Sequence, residues 1–287
     1  MSGWLWTDAT SWTPRETDWL WEDWVPREAV TLLNADTGLG KTTVCCDLVS
    51  RWSRGVALPD GSRTPAVRVL YVCLDDVVAK VTARIAAAGG APKGAVLMFG
   101  APDATSDSIV FPRDRVDLVE AIRRVDAGAV VIDTLVRAVD ETKDMKDYQA
   151  ASEVLGSLDA VARETGAGVL VVNHVTKGTG GPKVDSGYGS KGGVSGVARS
   201  VLTLTREAAG GEGRYVLEVV KSNYGEPVAP VPYRIESTYV PGEDRFGKRV
   251  DVKTSRIEWL VGETVQTVGK GRAARNQSFD DGDDAVL

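Results

Sequence analysis

The sequence predicts an α/β fold, a mostly parallel twisted sheet flanked by helices and extended by C-terminal antiparallel strands. Three observations predict it. Short, nearly continuous apolar runs recur through the first two-thirds of the chain and read as strands buried on both faces. Amphipathic stretches of helical period separate them, which implies βαβ units and a parallel sheet covered on both sides. After about residue 200 the helical stretches stop, and short strands follow one another across turns.

In chain order, AVTLLN (29–34) is the first buried strand. KTTVCCDLVSRW then places Val44, Cys45, Leu48, Val49 and Trp52 on one helical face. VRVLYVCL (67–74) is a strand, DRVDLVEAIRRV (114–125) a helix, AVVIDT (129–134) a strand, DYQAASEVLGSLDAVARETG (147–166) a helix and GVLVVNHV (168–175) a strand. SVLTLTR, RYVLEVVKS, VPYRIE and RVDVKTSRIEWL, between residues 200 and 260, read as an antiparallel extension of the same sheet. The reading gives a Trp-rich N-terminal arm (1–25), one domain (26–264) and a disordered, basic-then-acidic tail (265–287).

A hydrophobic content of 43% and a charged content of 26% are those of an ordinary globular protein. No apolar run approaches the roughly 18–20 residues needed to span a bilayer, so no membrane association is expected. Cys45, Cys46 and Cys73 form no CxxC pair, and His174 is the only histidine, which argues against a structural zinc site. A reducing cytoplasm is the expected location. The net charge of −6 argues against attraction of nucleic acid to the whole surface but leaves room for a local basic channel.

The chemistry centres on Ala35, Asp36, Thr37, Gly38, Leu39, Gly40, Lys41, Thr42 and Thr43, which fit the phosphate-loop pattern G-x-x-x-x-G-K-[ST] with alanine at the first glycine. In such a loop, backbone N–H groups curl around phosphates and the next helix points its N-terminus at the anion. Ala35 sits where the strand leaves the sheet, and its methyl group is tolerated if φ stays negative. Lys41 would neutralise β/γ oxygens and the Thr42 hydroxyl would ligate Mg²⁺. Asp133, ending the strand AVVID, is placed to hold Mg²⁺ as a Walker B acid does. Asp75 and Asp76 end another strand at the same sheet edge, where α/β proteins bind ligands. Asp75 is expected to orient and deprotonate an attacking water, and Asp76 to cap the following helix.

The succession DWLWEDWVPREAVTLLNADTGLGKTT, VLYVCLDD, VVIDTL, VLVVNHVTK, GYGSKGGVSGVARSVL, VVKSNYGEP and SRIEWL resembles the RecA-like ATPases of the RepA/DnaB hexameric helicase superfamily. The single-domain RepA-like ATPases of bacterial mobile elements and phages are the nearest likeness, which covers residues 18–262. It implies a RecA-like P-loop NTPase core that binds ATP and Mg²⁺ and forms a homo-oligomer, a hexameric ring, on single-stranded DNA. DnaB-type loops commonly carry alanine at the first glycine position. The catalytic carboxylate, usually glutamate, falls at Asp75, one methylene shorter. His174 falls at the γ-phosphate sensor, although a lone histidine on an apolar strand can also be a satisfied core residue. A basic finger supplied to the neighbouring subunit falls at Lys221, with Asn223 where the relatives carry arginine, or at Arg199. An intrasubunit ion pair is the rival role for Arg199.

Residues 176–199 hold eight glycines with Lys177, Lys183, Lys191 and Arg199 against Asp185 alone. A locally basic loop of this kind suits strand tracking, and Tyr188 could stack on a base. Residues 140–148 are a second candidate loop. Trp4, Trp6, Trp12, Trp19, Trp21 and Trp24 could anchor a neighbouring subunit or fold onto their own chain. The tail with Phe279 is either solvated or recruits a polymerase, primase or single-strand-binding protein. The expected activity is that of a replicative helicase. The rivals are a RecA/RadA-like recombination ATPase and a nucleotide-gated loader with little turnover.

Overall fold

The structure, a computed structural model, describes residues 8–99, 109–140, 142–145, 147–174, 194–207 and 213–265. Among these described residues, the centre is a sheet of nine strands. Six run parallel: β3 (Val30–Ala35), β4 (Arg68–Cys73), β5 (Val96–Phe99), β6 (Ala127–Asp133), β7 (Gly168–His174) and β8 (Ser200–Arg206). Across the sheet they lie in the order β8-β3-β7-β6-β4-β5. Strands β9 (Arg214–Ser222), β10 (Val231–Glu243) and β11 (Arg249–Trp259) continue antiparallel beyond β8.

Alternation along each parallel strand builds two cores. Leu33, Ala35, Tyr71, Cys73, Val131 and Val172 face α1 (Lys41–Arg54) and α2 (Val78–Ala87). Leu32, Leu70, Val72, Ile132 and Val171 face α3 (Arg115–Val125) and α4 (Tyr148–Thr165). This is why the strands read as unbroken apolar runs: with helices on both faces, neither parity can be polar. Helix boundaries follow local chemistry. The Asp147 side chain accepts a hydrogen bond from the Ala150 N–H at the start of α4, and Gly55 and Gly166 close α1 and α4 in the left-handed conformation.

The structure corrects the sequence reading in three places and, for two of the tryptophans, selects between the two roles left open. SVLTLTR does not begin the antiparallel extension, because β8 pairs parallel to β3 with Thr31 level with Ser200. The chain leaves β7 at one sheet edge and re-enters at the other, as a parallel crossover must. Helix α2 and strand β5 were missed, since Val78–Ala87 buries only Val81 and Ile85 and β5 is four half-buried residues. Asp76 is not the cap residue of α2. That position is Val77, and Asp76 instead accepts from the Val77 N–H and pairs with Arg84 at 2.7 Å. Within the predicted arm, Trp21 and Trp24 stack at 4.5 Å and are buried in the α1-side core of their own chain. They belong to a small hairpin, β1 (Trp19–Trp21) and β2 (Val25–Pro26), while Trp12 is exposed.

Candidate nucleotide site

The phosphate loop leaves β3 at Ala35, whose side chain is buried between the neighbouring strands and whose φ is not positive. Gly38 and Gly40 have φ of +84° and +80°, a conformation that costs an L-residue strain. Lys41 opens α1, and its ammonium donates to the carbonyls of Ala35 and Asp36 at 2.9 Å each. Burial lowers the Lys41 pKa, against the opposing charges of Asp133, Asp36 and Asp75. The amine therefore stands at the loop with its charge only partly solvated, where a phosphate would compensate it. Thr37 and Gly38 are exposed, Leu39 is buried, and Thr43 reaches Ser255 of β11 at 3.2 Å.

Strand order brings the other groups in. Strand β7 lies between β3 and β6, so His174 is level with Ala35, and Asp133 is level with Cys73 of β4. Asp133 is 3% exposed and continues the parity of Ala129 and Val131, which aims it at α1. Burial raises its pKa, opposed by hydrogen bonds from the hydroxyls of Tyr71 and Thr42. The Tyr71 hydroxyl, itself pushed far up by burial and so protonated, donates to Asp133 Oδ2 at 2.8 Å. Among the described residues, the buried Asp133 Oδ1 has no hydrogen-bond partner. A carboxylate oxygen left unpaired beside a threonine hydroxyl fits a hard cation that takes oxygen ligands. Thr42 and Asp133 are thus the residues that would hold Mg²⁺, most of its remaining ligands being phosphate oxygens and water. Asp133→Asn is expected to raise the Mg²⁺ concentration for half-maximal ATP hydrolysis by about tenfold, the cost typical of weakening a metal site. Titrating Mg²⁺ at fixed ATP checks this.

Asp75 lies just past β4, with one oxygen 3.9 Å from His174 Nε2 and the other 3.5 Å from Arg137 Nε. Burial, then the charge of Lys41, lowers the His174 pKa from 6.5, so the imidazole is neutral near pH 7. Sequence reasoning missed Arg137 and Tyr71. Tyr71 shares the parity of Cys73 and Val131 and could have been found by it; Arg137 follows Asp133 on a 3-10 turn and carries no comparable signal.

The two candidate fingers are elsewhere. Arg199 precedes Ser200, which is level with Thr31 at the start of β3, and Lys221 is level with Val201. Four strand residues, about 13 Å, separate this level from Ala35. Lys221 donates to the Gly196 carbonyl at 3.1 Å, and among the described residues the exposed Arg199 forms no ion pair. Lys177, Lys183, Lys191 and Tyr188 lie outside the described residues, as do Trp4, Trp6 and the tail from residue 266. In the second candidate loop Lys143 pairs with Glu153 of α4.

The profile of a family described as AAA domain matches residues 1–180, more than half of the chain. The chain belongs to this AAA domain family. A solved KaiC-like protein from the hyperthermophilic archaeon Pyrococcus horikoshii is similar in fold, with a TM-score of 0.52 and 15% identity over 74% of this chain and 88% of that one. No curated protein matches significantly in sequence. The fold is thus RecA-like, and this AAA-domain protein is a P-loop ATPase whose phosphate loop, Lys41 and Asp133 occupy the edge at which the parallel strands end. No helix among the described residues is long and apolar enough to cross a membrane.

Proposed function

We propose that this ATPase assembles head to tail into a ring, a hexamer by its resemblance to RepA/DnaB-like proteins, and uses ATP hydrolysis to move along single-stranded DNA and separate its strands. One observation carries the assembly: Arg199 and Lys221 stand at the sheet edge opposite Lys41, too far to serve their own phosphate loop. A basic finger there can act only on a neighbour's nucleotide, where it would offset transition-state charge. Support for coupling to DNA comes from the chain path. The glycine- and lysine-rich segment 176–193 begins two residues after His174 and leads to Val194–Val197 and β8.

In the proposed cycle Lys41 exchanges the carbonyls of Ala35 and Asp36 for β/γ oxygens. Thr42 and Asp133 would hold Mg²⁺, which would neutralise phosphate charge when bound. Asp75 takes a proton from water as the water oxygen bonds to the γ-phosphorus and the bond to the ADP oxygen breaks. Neutral His174, level with Ala35, donates to the γ-phosphate and reports its departure to the segment that follows.

The test is steady-state ATP hydrolysis with and without single-stranded DNA. Stimulation of about tenfold or more, abolished in Lys41→Ala, is expected. Mixing Arg199→Ala with Lys41→Ala subunits should restore activity if the finger acts in trans. Tight ATP binding with negligible turnover under both conditions would replace the motor by a nucleotide-gated loader. The 3.5 Å engagement of Asp75 by Arg137 favours that second reading, because it occupies the carboxylate meant to activate water.

A further inference from the structure

Strands β10 and β11 were expected only to widen the sheet. They pair with each other over eleven positions, but β10 pairs with β9 only from Val231 to Arg234. Beyond Arg234 the ribbon leaves the sheet and folds over the phosphate loop and α1. A Cβ built on Gly40 would stand 2.7 Å from Ile235 Cδ1. Ser255 meets Thr43 at 3.2 Å, and Trp259 Nε1 donates to Asp47 of α1 at 2.7 Å. At the root of the ribbon Tyr233 is fully buried, its ring 5.4 Å from that of Tyr215 and 5.5 Å from that of Trp259. Its hydroxyl donates to the Leu39 carbonyl at 2.7 Å.

We infer that Tyr233 is a positioning residue for nucleotide binding, holding the phosphate loop in its anion-ready form before ATP arrives. This rests on the phosphate-loop reading above. The Leu39–Gly40 peptide is planar, so its C=O and N–H point in opposite directions. Tying the Leu39 oxygen into the ribbon turns the Gly40 N–H away from the ribbon, to the side from which an anion is bound. The tie also restrains the αL turn at Gly40, together with the Val44 N–H that donates to the Gly40 carbonyl at 2.8 Å and the Ile235 side chain packed against Gly40. Without it the loop samples other peptide orientations, and ATP must select the competent one, which weakens apparent affinity by the fraction populated. Tyr233 acts on the ground state and transition state alike, so KM should move while kcat does not.

The experiment compares the full chain with Tyr233→Phe, Tyr215→Phe and Ile235→Ala, using ATP with Mg²⁺ for kinetics and a fluorescent ATP analogue for direct binding. Tyr233→Phe keeps the ring stack and deletes only the tie. It should raise both Kd and KM about fivefold, the scale of one lost hydrogen bond, with kcat within twofold. Tyr215→Phe alters the same stack without touching the loop and should bind as wild type. Ile235→Ala removes the contact on Gly40 and should weaken binding about threefold, which keeps the test open if Tyr233→Phe folds poorly. Wild-type Kd and KM in both Tyr233→Phe and Ile235→Ala overturn the inference, as does a fall in melting temperature with no change in Kd. If wild type and Lys41→Ala bind the analogue equally, the phosphate-loop reading itself has failed, and the inference with it.

Discussion

Lys41→Ala is expected to reduce ATP hydrolysis by on the order of 10³-fold, the scale of removing a preorganised charge from a phosphoryl-transfer site. The fold should survive. Among the described residues the Lys41 ammonium bonds only to the Ala35 and Asp36 carbonyls of its own loop, and it is a charge that burial already disfavours. Alanine is also the best helix former, and the position is the first turn of α1. Turnover of the purified variant, together with a melting temperature within a few degrees of wild type, checks both halves. Retained turnover would sink the site.

Asp75→Asn should cost about 10²–10³-fold in kcat, or roughly 3–4 kcal/mol of barrier, with ATP affinity kept within a few fold. The amide cannot accept the water proton, yet it fills the same space between His174 and Arg137. Single-turnover hydrolysis separates this from a binding defect. A variant that hydrolyses ATP at the wild-type rate would transfer the role to another group. Asp75→Glu keeps the carboxylate and extends its reach by one methylene, and should retain at least wild-type kcat. A loss there would mean that the shorter side chain is matched to the Arg137 contact.

Much of the site was legible because its signals are local. The loop pattern lies within eight consecutive residues, and each carboxylate sits at or just beyond the end of an apolar run whose exit marks the ligand edge of a parallel sheet. Ala35 also read correctly as a strand-end residue, since a methyl group there needs only a negative φ, and the structure gives it one. What escaped was contact across the sequence. The Tyr71–Asp133 bond joins residues 62 apart and Tyr233–Leu39 residues 194 apart, and no periodicity encodes such pairs. The missed elements failed for the opposite reason: α2 buries two side chains and β5 spans four residues, too little pattern to stand out. The division of the tryptophans followed the same rule, because composition gives no sign of which rings find a core.

The sequence by itself determined the alternation of helices and strands, the two-sided burial of the sheet, and the positions of Lys41, Thr42 and Asp133 at strand ends and a helix start. Those properties follow from side-chain period and residue type, which are local. Tertiary structure alone decided that β7 lies between β3 and β6, bringing His174 level with Ala35. It also decided that β8 runs parallel, which sends Arg199 to the far edge, and that the last ribbon turns back onto the phosphate loop. Strand order and the path of a ribbon are set by which faces bury each other best over the whole chain, a comparison that no single segment contains.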